Sequence, residues 1–282
     1  SSPEALEEIL DKCSSLNDIQ TVLNELTADN ESLTPFQCYL KGRAFFMQQK
    51  DNEALDLLKF AITKDENLHQ AHYYAGMVSR YLGQGPEAVA FLSNAAKILQ
   101  NSNGSNEKLA TYFRALANAH MAIKQEEKAE EAYKNSLQAV RTFEGLSALG
   151  ACLLQQNKKK EGVEALKDAL EQVEGPYSKT HVTCLYNLGN ILFQEKKIQS
   201  ALDHFLSVCE IENKDFGALC KVIQCYSNIG EVQKRDEFIK KVRELRNVGL
   251  APPRFCREQV FTEKGTILCY EYFEFSGEFK AP

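Results

Sequence analysis

Along the first 28 residues, apolar side chains recur at helical spacing. Leu6, Ile9 and Leu10 share one face, and Ile19, Val22, Leu23 and Leu26 continue the pattern in a second short segment. From about residue 33 a slower rhythm is added: a small residue is followed twelve positions later by another small one. Gly42 leads to Ala54, Gly76 to Ala88, Ala117 to Ala129, Gly150 to Gly162 and Gly189 to Ala201. Gly42 and Gly76 are 34 residues apart, and Ala117 and Gly150 are 33 apart. A period of this size predicts a solenoid of stacked helix pairs. Packed helices approach to about 8–10 Å, and the close end of that range needs small side chains at the contact. Leu58, Leu92, Tyr133, Leu166 and Phe205 are the bulky partners expected to fill the space left over.

The pattern predicts six helix pairs, over about 33–64, 68–100, 107–140, 143–174, 178–211 and 215–247. Gln48-Gln49-Lys50-Asp51 and Gly83-Gln84-Gly85-Pro86 are the turns inside the first two. The polar loop Asn101–Asn106 stretches one spacing to 41 residues, and the break at Gly175-Pro176 stretches another to 39. The sixth pair is degenerate, with Ile223 and Arg235 in place of its two small residues. Residues 1–30 are expected to form a helical cap, 31–248 the solenoid, and 249–282 a linker and tail. In the tail, aromatic and β-branched runs flank Glu263-Lys264-Gly265 and predict a β-hairpin. Its register would pair Phe255 with Phe273, Arg257 with Glu271 and Phe261 with Ile267. An isolated hairpin is marginal in water, so it is expected to pack on the last helices, on further strands or on another molecule.

Where the units match best, the order is a bulky residue, Leu-Gly or Leu-Ala, a bulky residue, then Ala, an aromatic or Leu, and Ala. The run Leu185-Tyr186-Asn187-Leu188-Gly189-Asn190-Ile191-Leu192-Phe193, continued by Ala201 and Phe205, carries this order most fully. It resembles the tetratricopeptide repeat, and the resemblance extends over about residues 33–247. It implies an all-α, right-handed solenoid of about six helix pairs, with the first helix of each pair lining a concave groove that holds a partner peptide. Carried onto this chain, the groove positions are Tyr39, Arg43 and Phe46; Tyr73, Met77 and Arg80; Arg114, Asn118 and Met121; and Tyr186, Asn190 and Phe193. Aromatic, Met and Arg side chains are enriched at protein interfaces. The three arginines suit an acidic or phosphorylated segment, and the asparagines an extended backbone. Packing between neighbouring helices is the other reading of Tyr39, Phe46, Tyr73 and Phe193. Chaperone-binding members of the family hold a terminal carboxylate with a Lys, Asn, Asn, Lys, Arg clamp. Here those places fall on Tyr39, Arg43, Tyr74, Thr111 and Ala115, or one repeat later on Tyr73, Met77, Ala115, Glu144 and Ala148. Neither set fits.

Charge and chemistry narrow the picture further. Asp and Glu number 39 against 33 Lys and Arg, a net charge of −6 that argues against nucleic acid as partner. No apolar run is long enough to span a membrane, and the first residues carry no basic region or apolar stretch of a signal peptide. Nine cysteines without regular spacing, with Cys152, Cys184, Cys209 and Cys220 on helices as small apolar residues, suggest a reducing compartment, the cytoplasm or nucleus. Cys256 and Cys269 lie on opposite strands of the expected hairpin without facing each other. No catalytic motif is visible, and neither a cofactor nor a metal is expected. His69 and His72 have only Asp65 and Glu66 nearby and read as ordinary surface histidines. The basic runs Lys158-Lys159-Lys160 and Lys196-Lys197 read as solvated turns, with contact to an acidic partner as the alternative. The expectation is a non-enzymatic adaptor that binds a protein or peptide segment in its groove to assemble a larger complex. The alternative is a structural subunit, including a homodimer, that joins through its convex face or its hairpin.

Overall fold

In a computed structural model of the protein, residues 1–247, 259–261 and 267–269 are described. Fourteen α-helices follow one another through these residues. They are α1 Pro3–Asp11, α2 Leu16–Glu25, α3 Pro35–Met47, α4 Asp51–Lys64, α5 His69–Tyr81, α6 Gly85–Asn101 and α7 Asn106–Ala122. Then come α8 Glu126–Ala139, α9 Phe143–Gln155, α10 Lys159–Glu171, α11 Val182–Gln194, α12 Ile198–Ile211, α13 Phe216–Ile229 and α14 Val232–Asn247. From α3 onward the helix bounds match the six expected segments in sequence order. A 3-10 turn, Lys179–His181, leads into α11.

The chain divides into two compact units, Ser1–Lys158 and Lys159–Pro282. The division lies between α9 and α10, inside the stretch that the sequence treats as one array. In the first unit each helix packs on the next, and α3 also meets α5, and α5 meets α7. Leu6, Leu10, Ile19, Val22 and Leu26 of the first two helices join one core with Leu40, Leu58, Ala61 and Ala75. In the second unit α10 to α14 pack in sequence order.

The small residues stand where helices touch. A Cβ on Gly42 would lie 2.9 Å from Leu58 Cγ, and one on Gly76 only 2.5 Å from Leu92 Cγ. In the second unit a Cβ on Gly189 would meet the Phe205 ring at 2.9 Å. In the sixth pair, Ile223 and Arg235 are both buried, and Arg235 donates to Asp236 at 2.7 and 2.9 Å.

The two kinds of turn are built differently. Several helices that open a pair carry a side-chain cap: Thr34 on α3, Ser105 on α7, Thr142 on α9 and Asp215 on α13. The turns inside the pairs instead use a left-handed residue, at Gln49, Gly83, Lys124, Asn157, Lys196 and Gly230. In the first five, the residue's N–H bonds back three residues and the next N–H bonds back five, as with Gln49 to Phe46 and Lys50 to Phe45. This double closure satisfies the last carbonyls of the first helix and starts the second within two residues.

In the tail, β1 Gln259–Phe261 and β2 Ile267–Cys269 pair antiparallel, with Phe261 opposite Ile267. The rest of the expected hairpin over 255–275, including the Phe255/Phe273 and Arg257/Glu271 pairs and Cys256, lies outside the described residues. The helices make up the established fold, and of the expected hairpin only this three-residue pairing falls among the described residues.

Candidate protein-binding face

The twelve residues expected to line a groove sit on the first helices α3, α5, α7 and α11, and they meet different fates. Tyr39 is fully buried, its ring set against Phe36 and Tyr74 at 5.3 and 5.7 Å, and its hydroxyl donates to Glu7 of α1 at 2.9 Å. It is a packing residue with no surface to offer. Arg43, one turn on, is 8% exposed at its side chain, and its guanidinium lies 2.8 Å from the Asp11 carboxylate, also on α1. It stands 4.9 Å over the Tyr74 ring and reaches the Tyr39 hydroxyl at 3.4 Å. The N-terminal helix thus supplies the acid that a partner was expected to bring to Arg43. Phe46 is half-buried, edge-on to Tyr81 at 5.3 Å.

The middle of the first unit is more open. Tyr73, Met77 and Arg80 of α5 and Arg114, Asn118 and Met121 of α7 are all half-exposed. Tyr73 stacks on Tyr112 with ring centroids 4.4 Å apart and meets Tyr74 edge-on at 5.2 Å. Arg80 lies 5.5 Å from the Tyr81 ring centroid, and its Nε is buried without an acceptor. Among the described residues neither Arg80 nor Arg114 has an ion-pair partner. The Tyr133 hydroxyl donates to Asn118 Oδ1 at 2.5 Å, so the amide's acceptor is used and its N–H groups remain.

Burial pushes the hydroxyls of Tyr39, Tyr73 and Tyr112 upward, and those of Tyr74 and Tyr133 up to about 12. At neutral pH these five groups are protonated and can donate.

In the second unit Tyr186, Asn190 and Phe193 of α11 are half-exposed. Tyr186 sits edge-on to Phe205 at 5.5 Å, and Lys221 of α13 lies 5.3 Å from the Phe193 ring centroid.

The groove positions expected from the pattern leave out Tyr74 and Tyr112, which tie the aromatic strip together, and Glu7 and Asp11, which close its first end. The adjacent Tyr73-Tyr74 pair was a signal for the first. Glu7 and Asp11, four residues apart on one face of α1, were a signal for the second.

The histidines differ from their expectation. His72 is buried, with Nε2 3.0 Å from the Glu66 carbonyl, and His69 Nδ1 lies 2.9 Å from the Tyr112 hydroxyl. Burial holds both below the usual imidazole range. Among the described residues no group of three or more His, Cys, Asp or Glu side chains is placed to hold a metal ion, and no helix is long and apolar enough to cross a membrane. Lys158 has its acidic partner within the chain, Glu130 at 2.6 Å.

No protein-family model matches the sequence, and no curated protein matches it. Solved structures do. YrrB, described as a TPR protein with an unusual peptide-binding site, aligns over 68% of this chain and 93% of its own at 16% identity and a TM-score of 0.52. PilF of Pseudomonas aeruginosa aligns over 76% of this chain and 91% of its own, at 15% identity and a TM-score of 0.61. The Cut9–Hcn1 structure of the APC/C aligns over 88% of this chain but 46% of its own, at 15% identity and a TM-score of 0.61. With its helix pairs, its small-residue contacts and these neighbours, the chain has the fold of the tetratricopeptide-repeat proteins.

Proposed function

We propose that this protein is a non-enzymatic scaffold that binds an extended segment of a partner protein and brings it into a larger assembly, in the cytoplasm or nucleus. The partner segment lies along the first-helix face of the first unit, on Tyr73, Met77, Arg80, Arg114, Asn118 and Met121. Tyr186, Asn190 and Phe193 offer a similar mixture on the first-helix face of the second unit. The observation that carries this reading is the pair Arg80 and Arg114, half-exposed arginines without an ion-pair partner among the described residues, beside half-exposed methionines and a stacked tyrosine pair. Arginine, methionine and tyrosine are the side chains that protein interfaces favour. Arg43 is set aside from the contact set because Asp11 already holds it, and Tyr39 because it is buried. YrrB, of like fold, is described as having a peptide-binding site, which supports a comparable use here.

The test is affinity capture from a cell lysate with the intact chain beside an Arg114→Glu/Asn118→Ala version, read by mass spectrometry. Partners lost only by the variant, with its helical circular dichroism retained, are the expected result. A partner set that the variant leaves unchanged moves binding to the convex face or the tail and ends the groove reading.

A further inference from the structure

We propose that a notch between α6, α7 and α8 is a separate peptide-binding site, which takes an uncharged extended segment and seats one of its apolar side chains. It does not depend on the reading of the first-helix face.

The notch comes from a departure in the repeat. The loop Asn101–Asn106 stretches the spacing there to 41 residues. The helices beside it are longer than their neighbours: α6 and α7 have 17 residues each, against 13 in α5 and 14 in α8. Their connection is tightly closed. The Gly104 N–H and the Ser102 hydroxyl both donate to the Leu99 carbonyl, at 3.1 and 3.0 Å. A Cβ on Gly104 would collide with the Leu99 side chain, and Ser105 caps α7. The mouth of the notch is therefore preorganised.

The space measures about 350 Å³, within the range of ligand sites. Gln100 of α6, Asn106, Leu109 and Phe113 of α7, and Asn135 and Gln138 of α8 line it. Asn106, Leu109 and Phe113 recur at i, i+3 and i+7 and share one face of α7. Arg114, Asn118 and Met121 stand on another, about 100° round the helix axis.

The lining has two parts. Leu109 and Phe113 are half-buried and pack on Ala95, Ala96, Leu99 and Tyr112, so the apolar floor is fixed. The rim is four carboxamides from three helices. Among the described residues none of these four side chains has a hydrogen-bond partner, so a ligand can bond them without breaking an internal bond. Each offers a carbonyl acceptor and two N–H donors. No lining residue is charged, and an ionic group placed here would lose water without gaining a counter-charge. A peptide backbone presents the alternating C=O and N–H groups that carboxamides match. The floor between them fits one apolar side chain, which gives main-chain pairing at the rim and a pocket for selectivity.

The experiment adds a library of end-capped, uncharged seven-residue peptides, with leucine fixed at the centre, to the full chain. Fluorescence polarisation reads the affinity. The side-chain NH2 signals of Gln100, Asn106, Asn135 and Gln138 in a proton–nitrogen NMR spectrum read the place, and binding should shift them. Methylating the two backbone nitrogens nearest the leucine should weaken binding about tenfold, as should Asn135→Ala/Gln138→Ala. That double variant should melt near wild type; Gln138→Ala alone, at an exposed position, decides if it fails to fold. Arg114→Glu/Asn118→Ala should leave the affinity unchanged, so failure of this site and failure of the first-helix reading are distinguishable. Peptides that bind without moving the four signals, that bind equally well when methylated, or that do not bind at all overturn the notch as a peptide site. Shifts produced by a neutral glucose oligosaccharide and not by the peptides overturn it too.

Discussion

The Asp11 carboxylate lies 2.8 Å from the Arg43 guanidinium and joins the N-terminal helix to the first helix pair. Arg43 is 8% exposed and Asp11 61% exposed, so the cation depends on the pair more than the anion does. Asp11→Ala leaves a nearly buried positive charge with the Tyr39 hydroxyl and the Tyr74 ring for company. The expected loss of stability is about 1–2 kcal/mol, toward the low side for a charged hydrogen bond because Asp11 is open to solvent. In the Asp11→Ala background, Arg43→Met should cost less than it does alone, since the unpaired charge is then gone. Urea denaturation of the four proteins measures this coupling, and strictly additive losses would refute it.

Gly76 and Leu92 meet where α5 crosses α6, with 2.5 Å between an added Cβ and Leu92 Cγ. The Ala88 carbonyl lies 3.1 Å away on the same side, so the crowding is against a branch point and backbone. Gly76→Ala gains about 1 kcal/mol of helix propensity but costs about 1–3 kcal/mol by overpacking. The net effect should be destabilising. In a Leu92→Ala background the 2.5 Å contact is removed and only the milder 3.1 Å approach to the Ala88 carbonyl remains, so the same substitution should stabilise. Thermal melts of the pair read the change of sign; the same sign in both backgrounds would mean that the close approach is not what requires glycine.

The left-handed residues inside the helix pairs give a second stability test. Lys124 and Lys196 hold φ of 59° and 60°, where a side chain is strained, whereas Gly83 holds the equivalent turn with φ of 75°. Nothing lies within 4 Å of a Cβ on Gly83, so only backbone strain opposes Gly83→Ala. Lys124→Gly should raise stability by about 0.5–1 kcal/mol, and Gly83→Ala should lower it by about the same amount. Chemical denaturation midpoints report both, and a Lys124→Gly protein no more stable than wild type would count against strain at that turn.

Much of this fold is legible because it is periodic. Gly42, Gly76 and Gly189 announce their contacts through spacing, and the bulky partners Leu58, Leu92 and Phe205 follow at a fixed offset. The turns inside the pairs were only half legible. Gly83 signals its left-handed backbone, but Gln49, Lys124 and Lys196 adopt the same conformation without a residue that favours it, because the packed helices on either side fix the turn. The candidate face was legible by position and not by role. Tyr39 and Arg43 sit where the repeat puts groove residues, yet α1, outside the repeat, covers them with Glu7 and Asp11. The same limit applies to His72, whose spacing from His69 says nothing of its burial.

Glu130 of α8 gives the first unit one acid-sensitive contact. Its side chain is 10% exposed and accepts from Lys134 and from Lys158, both at 2.6 Å. The hydrogen bond from Lys134, then that from Lys158, brings its pKa from the ordinary 4.5 down to about 2. A carboxylate depressed in the folded state gives stability that is present above the unfolded value and lost as pH falls through the folded one. The window here runs from about 4.5 down to about 2, and the full contribution is about 3 kcal/mol as an upper figure. Glu8, Asp18, Glu107 and Glu195 are also lowered, by hydrogen bonds from Lys12, Ser14, Ser105 and Lys197 that do not involve Glu130, so they titrate alike in wild type and variant. The difference in unfolding free energy between wild type and Glu130→Gln isolates the one group. It should be constant at neutral pH and shrink steadily as pH falls below about 4.5. Lys158→Met should lessen that pH-dependent part by weakening the depression. Parallel stability curves for wild type and Glu130→Gln across the acid range would show that the two lysines do not hold this carboxylate as described.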